Sequence, residues 1–380
     1  MIRRTLTGVV VAAALLVPGS AAVAAPPVLQ ERLDAVHEAG MPGVFAEVRD
    51  GRRTYTPAAG VIDIRTQKPV RDGLRHRVGS ITKTFVATTV LQLSGERRID
   101  LDAPVSSYLP KLVKDRPATV RQLLNHTSGI GDYDTEILSS EQDIIDVGRT
   151  TYRPEQLARI GLAAAPTTGF SYSNTNYVLA GLIVEKVTGR SLESEVSRRI
   201  LRPLKLRDTY FEGADPVIRG PHMHAYVPWP PDGELRDFTR YNMSWAWGAG
   251  DIVSTAADLN TFFRALLTGK VLSKRLLAQM QTTVEGGYGL GLYRVDLPCG
   301  TFWGHDGGTI GHQTISWHSA DGRTQMTYAH SMAFYQTSPT EQHPIDVATN
   351  AFIMAALCGD AAPAARSAAP ATDLRKFLVG

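Results

Sequence analysis

The chain has 380 residues, 43% hydrophobic and 20% charged, with a formal net charge of +3 at pH 7. That is ordinary soluble globular composition, and a chain of this size buries roughly 75% of its unfolded surface without staples. Its Lys and Arg are mixed with Asp and Glu, and no basic run tracks a phosphate backbone, so nucleic acid is excluded as a partner.

Arg3 and Arg4 precede an apolar run, "VVVAAALLV", that ends in small residues at "AVAAPP". This three-part layout predicts an export leader, residues 1–25, cleaved near Ala24 or Ala25. The run is too short to span a bilayer. The expected mature protein is therefore extracellular, with no membrane anchor. Export favours a bridge between the two cysteines, Cys299 and Cys358.

Next, "LQERLDAVHEAG" puts Leu29, Leu33 and Val36 on one helical face, and Gly40 stops it. Two strands follow around the Asp50-Gly51 turn. A helix then runs through "SITKTFVATTVLQLSG" to Gly95. Residues from Asp100 to Phe211 read as mostly helical, and "NYVLAGLIVEKVTGR" is closed by Gly189. "WPPDGE" is a turn-rich loop. Thr255 and Asp258 have capping-box spacing before Leu259, Phe262, Phe263 and Leu266. Strands follow in "YGLGLYRVDL", "TFWGHDGG" and a hairpin about Asp321-Gly322, then a closing helix.

Strands at both ends with helices between predict an α+β fold. One antiparallel sheet flanked by helices would use residues 26–95 and 240–358. A mostly helical second domain, 96–239, would pack beside it with a cleft between them. Residues 359–380 read as a disordered Ala/Pro-rich tail.

Three stretches carry candidate chemistry. Ser80 and Lys83 lie one helical turn apart in an otherwise apolar, hydroxyl-bearing run. A serine hydroxyl needs a base, and a lysine becomes one only when burial strips its proton. Ser80 at a helix start also leaves its own N–H free for an oxyanion. In "GFSYSNTNY", Tyr172 can relay a proton to a leaving group and Asn174 can hold a substrate amide. In "WGHDGGTIGH", Gly307 and Gly308 permit close backbone approach, and the Gly308 N–H is a second oxyanion donor. His305 there supplies a positive or hydrogen-bonding group. Taken singly, each stretch has a plain alternative: a snorkelling lysine, a core tyrosine with a capping asparagine, a glycine-rich strand end.

Taken together and in this order, S-x-x-K, Y-x-N and H-x-G resemble the penicillin-recognising serine hydrolases. The likeness is to the branch holding class C β-lactamases and secreted actinobacterial D-alanyl-D-alanine carboxypeptidases. "LLNHTSGI", "GAGDIVSTAADL" and the cysteine pair are similar to that family too, and the resemblance covers roughly residues 28–358. It implies the β-lactamase/DD-peptidase-like fold and a seryl acyl-enzyme on Ser80. Lys83 and Tyr172 would share the base and acid roles, with either able to deprotonate Ser80. Asn174 would bind substrate, and His305 would keep Tyr172 in its working state. Gly307, Gly308, Thr309 and Trp245 would line the substrate site, with Trp247 a further candidate. The implied protein is a monomeric carboxypeptidase acting on cell-wall peptides or β-lactams, without metal or cofactor. Rival readings are a β-lactamase, a D-aminopeptidase, an esterase, a penicillin receptor or a peptide-binding scaffold.

One departure stands out. Asp306 occupies a position where the family commonly has Thr or Ser, whose hydroxyl contacts a substrate carboxylate. Either Thr309 and an arginine such as Arg294 take over, or the substrate lacks a free carboxylate. There is no G-x-S-x-G elbow, and the histidines of "HMHAY" lack a following Asp, so they read as loop residues rather than metal ligands.

Overall fold

The computed structural model describes residues 26–114, 116–336, 338 and 341–359. The expected leader and all of the expected tail beyond Gly359 lie outside the described residues.

Both ends of the chain meet in one antiparallel sheet of eight strands. Its order is Tyr293–Leu297, Gly300–Gly308, Gln313–Ser319, Thr324–His330, Gly43–Asp50, Ala58–Asp63 and Lys68–Pro69, and Arg53–Tyr55 also pairs with Gly43–Asp50. The N- and C-terminal halves join where Val44 faces His330 and Val48 faces Met326. Gly51, at φ +59°, makes the expected turn, because only glycine enters that region without strain.

Helices Pro27–Glu38 and Pro344–Cys358 cover one sheet face. Leu29, Leu33 and Val36 point inward as expected and pack with Met326, Tyr328 and Phe352. Cys299 and Cys358 are disulfide-bonded, with Cα atoms 5.4 Å apart. Helix Ala256–Leu267 lies on the other face. Thr255 caps it by accepting the Asp258 N–H at 3.2 Å. The reciprocal half of the expected capping box is not formed. The Asp258 carboxylate instead accepts from the Asp208 N–H and the Thr209 hydroxyl, because a tertiary loop offers two donors where the cap offered one.

Between the two strand-bearing ends of the sequence lie helices Thr82–Gly95 and Asn174–Thr188, both buried almost all round and packed with one another. Such helices are apolar on every face because every face meets protein. Shorter helices at Val120–Leu124, Asp134–Ile137, Glu141–Val147 and Pro154–Ala163 surround them. A hairpin of Tyr226–Trp229 and Glu234–Asp237 carries the "WPPDGE" turn. Among the described residues, no helix is long and apolar enough to cross a membrane.

Candidate active site

Ser80 sits in a single 3-10 turn, Gly79–Ile81, that feeds the Thr82–Gly95 helix. The turn is tied down by the Val78 N–H to the Ile252 carbonyl and by the Ile252 N–H to the Thr82 hydroxyl. The end of strand Gly300–Gly308 presses against it. A Cβ on Gly307 would lie 2.1 Å from the Val78 oxygen and 2.6 Å from the Ser80 nitrogen. One on Gly79 would lie 2.8 Å from the Gly308 nitrogen. The glycines expected to permit close approach thus do so, backbone against backbone.

That contact aligns two N–H groups. The Thr309 N–H donates to the His312 carbonyl at 2.9 Å, which makes Thr309–His312 a hydrogen-bonded pair of the ladder. The next pair, Gly308–Gln313, is then the non-bonded kind, and the Gly308 N–H points out of the ladder toward the Gly79–Ser80 turn. The Ser80 N–H, in the first turn of its helix, lacks an intrahelical acceptor.

Lys83 is fully buried. Its Nζ lies 2.9 Å from Ser80 Oγ, 2.6 Å from Asn174 Oδ1 and 2.8 Å from the Ala249 carbonyl. All three partners are neutral. Burial pushes the ammonium down to about 7, with Asp134, Asp132 and Asp306 opposing from a distance. The Tyr172 ring lies under the amine, 4.9 Å from Nζ to its centroid. Burial, with Tyr293, holds the Tyr172 hydroxyl well above the usual phenol range, and a hydrogen bond with Ser80 opposes this. Tyr172 is therefore a neutral phenol in contact with Ser80.

Asn174 begins the Asn174–Thr188 helix. Its side-chain amino group donates to Asp134 Oδ2 at 2.7 Å and to Asp132 Oδ2 at 3.2 Å. Both amide hydrogens are engaged and the oxygen faces Lys83, so the substrate-facing role expected of Asn174 does not match its partners. Of the two roles expected of His305, positive or hydrogen-bonding, its partners match the second. Burial lowers it to about 3, so it carries no positive charge. Its Nδ1 meets the Asp306 carbonyl at 2.5 Å, which makes Nδ1 the donor and leaves Nε2 to accept from the Tyr288 hydroxyl at 3.1 Å. Tyr288 in turn packs edge-on to Tyr172, with ring centroids 6.0 Å apart.

The remaining expected residues scatter. Thr309 is buried in the turn just past Gly308. Trp245 is buried in the helical core, and its carbonyl accepts from the Tyr133 hydroxyl. Trp247 donates to Glu193 and packs in that same core. Arg294 is ion-paired to Asp296. His222 and His224 meet the Gly220 carbonyl and Asp237.

Sequence reasoning missed several neighbours. His126 stacks on Tyr172 with centroids 4.1 Å apart, and Tyr288 bridges to His305. Asp132 and Asp134 hold Asn174. The visible signal was "GDYD", the first acids of the run that continues through Glu136, Glu141, Asp143 and Asp146, which local rules assign to a helix start. Only the packed structure reveals that Asp134 is buried and Asp132 partly so.

A serine bonded to a buried, weakly basic lysine, under two converging N–H groups, defines a serine hydrolase of the penicillin-recognising type. The chain belongs to the Beta-lactamase family, whose model matches residues 28–340. A D-stereospecific amidohydrolase from Streptomyces sp. is 38% identical, with a TM-score of 0.78 over 88% of this chain and 99% of that one. Esterase EstB from Burkholderia gladioli is 34% identical over 53% of this chain and 56% of that protein. A D-aminopeptidase from Brucella anthropi is 29% identical over 76% and 55%. The match thus spans little more than half the length of these two relatives.

Proposed function

We propose that the protein hydrolyses small amides or esters through an acyl-enzyme on Ser80, preferring substrates with a free ammonium group over those ending in a carboxylate. The observation that carries the reaction is the bonding of Lys83. A neutral amine has two N–H groups and one lone pair. Asn174 Oδ1 and the Ala249 carbonyl are pure acceptors and take the two N–H groups. The lone pair is left for the Ser80 hydroxyl, which donates its proton to the amine as its oxygen attacks the substrate carbonyl. The N–H groups of Ser80 and Gly308 receive the oxyanion. The proton taken from Ser80 reaches the leaving nitrogen or oxygen through the Tyr172 hydroxyl. Lys83 is then neutral again, accepts a proton from the attacking water, and Ser80 recovers its own as the ester breaks.

Asp306 sets the substrate preference. Its carboxyl is 15% exposed and near enough to Lys83, Tyr172 and Tyr293 to shift all three. The sign of an ionised carboxyl here favours an ammonium over a carboxylate. Arg294, the cation expected to receive a substrate carboxylate, is engaged by Asp296. The likeness to a D-stereospecific amidohydrolase supports D-aminoacyl substrates. Export is supported by the leader layout and the disulfide.

The test is a panel of D-alanine p-nitroanilide, its L enantiomer, an N-acylated D-Ala-D-Ala peptide, a chromogenic cephalosporin and a p-nitrophenyl ester. D-Alanine p-nitroanilide should exceed the dipeptide in kcat/KM by at least about tenfold, and Asp306→Thr should narrow the gap. The reverse order would overturn the substrate class. Mass spectrometry after penicillin or ester treatment should find the acyl group on Ser80; an adduct elsewhere would overturn the reaction.

A further inference from the structure

The carboxyl pair behind Asn174 does no chemistry in the scheme above, yet it is the most heavily bonded feature near the lysine. Asp132 accepts the Asn174 backbone N–H at 3.0 Å, its side-chain amino group at 3.2 Å and the Asp134 N–H at 3.3 Å. Asp134 accepts from the same amino group at 2.7 Å. Asp134 is 4% exposed and Asn174 6%. Two acceptors therefore grip the two hydrogens of one carboxamide from the side away from Lys83.

We propose that Asp132 and Asp134 are positioning residues of this reaction: they fix the Asn174 carboxamide so that its oxygen, and not its amino group, faces Lys83. The orientation matters because the two ends of an amide are opposite in hydrogen-bonding sense. With the oxygen forward, Asn174 consumes an N–H of the amine and leaves its lone pair for Ser80. With the amino group forward, Asn174 would donate to that lone pair and compete with Ser80 for it. The flip would also set the amide oxygen against two carboxyl groups, so the pair holds the amide one way round. The inference rests on the seryl acyl-enzyme reading.

The charges around the group are few. Burial raises Asp132 to about 6 and Asp134 well above the usual carboxylate range, with the Asp132 charge adding to the latter. Like charges this close do not both ionise readily, so Asp134 is the protonated member. Lys83 faces the pair from its own helix, and Asp306 faces Lys83 from the strand. The buried histidines His126 and His305 are neutral beside it. Tyr133 lies against Asp134, and Asp251, itself raised by burial, acts on Tyr133.

The experiment measures kcat and KM for a p-nitrophenyl ester from pH 5 to 9, together with the melting temperature. Asp134→Leu, which keeps much of the volume but removes the acceptor that even a protonated Asp134 offers, should lower kcat by about 10- to 100-fold with KM nearly unchanged, the scale for a misplaced catalytic group. Asp132→Asn should do the same and move the acid limb to lower pH, because removing a carboxylate lets Lys83 shed its proton more easily. In an Asn174→Ala background, where there is no amide to orient, Asp134→Leu should cost almost nothing further. Asp134→Asn, which keeps one acceptor oxygen, should retain more activity than Asp134→Leu and serves if Asp132→Asn does not fold. A folded Asp134→Leu protein with unchanged kcat would overturn the proposal, as would an equal loss in the Asn174→Ala background. If the unmutated protein forms no adduct on Ser80, the underlying reaction fails instead, and this inference with it.

Discussion

Two cations six residues apart, Arg77 and Lys83, are both completely buried, and the protein treats them in opposite ways. Arg77 meets Glu212 through two hydrogen bonds, at 2.7 and 2.9 Å, and its remaining donors reach the carbonyls of Phe238, Thr239 and Tyr241. Its charge is answered by a charge. Lys83 is answered only by dipoles, and its carboxylate neighbours stand back from hydrogen-bond contact. A guanidinium cannot give up its proton in a protein and so requires a partner. An amine left without one lets go of its proton and becomes a base. The contrast teaches that burial alone does not decide whether a cation keeps its proton; burial without an ion pair weakens a lysine's hold on it.

The strongest way to break the comparison is to remove each cation. Lys83→Met should abolish turnover, by at least about 10,000-fold, and Ser80→Ala should cost the same with no further loss in the double variant, because the two act as a unit. Folding stability of Lys83→Met should fall less than that of Arg77→Met, as measured by urea unfolding, since it leaves two carbonyl acceptors without a donor but no buried charge. Lys83→Arg should be as inactive as Lys83→Met at every pH from 6 to 10. Arg77→Met should behave the other way. Glu212 would remain buried and unpaired, and about 3–5 kcal/mol of stability should be lost. Replacing both, Arg77→Met with Glu212→Leu, should recover most of it.

A smaller effect comes from the backbone contact under Ser80. A methyl group on Gly307 would collide with the Val78 carbonyl and push the strand off the turn. Gly307→Ala should therefore lose about 100- to 1,000-fold in kcat, the scale for losing one oxyanion donor, with KM less affected. The smallest effect is that of pH. Lys83 must be deprotonated to act and titrates near 7. The value of kcat/KM should rise as pH increases, fall about tenfold per unit well below 7 and level off above it. A flat profile from pH 5 to 8 would remove Lys83 from the role of base.

Much of the architecture was legible from local signals. Gly40, Gly51 and Gly189 stop or turn the chain where a positive φ is needed, and the stripe of Leu29, Leu33 and Val36 faces the core. Ser80 and Lys83 were legible because three-residue spacing on a helix guarantees proximity. Local rules failed where a distant segment supplied a better partner. Asp258 left its own helix cap for Asp208 and Thr209. Asn174 turned its amino group away from Lys83 toward Asp132 and Asp134. For His305 the sequence left two roles open, and its surroundings chose hydrogen bonding to Tyr288 and a carbonyl over a positive charge.

By itself, the sequence determined which elements form, the order of the three motifs and the proximity of Ser80 to Lys83. Those follow from periodicity, from turn chemistry and from the bonding capacity of each side chain, all of them properties of neighbours along the chain. Tertiary structure alone decided which groups are charged. Whether Lys83 is an acid or a base, whether His305 is a cation, and which way Asn174 faces depend on burial and on partners from distant segments. Desolvation and hydrogen-bond competition are settled only when those segments pack.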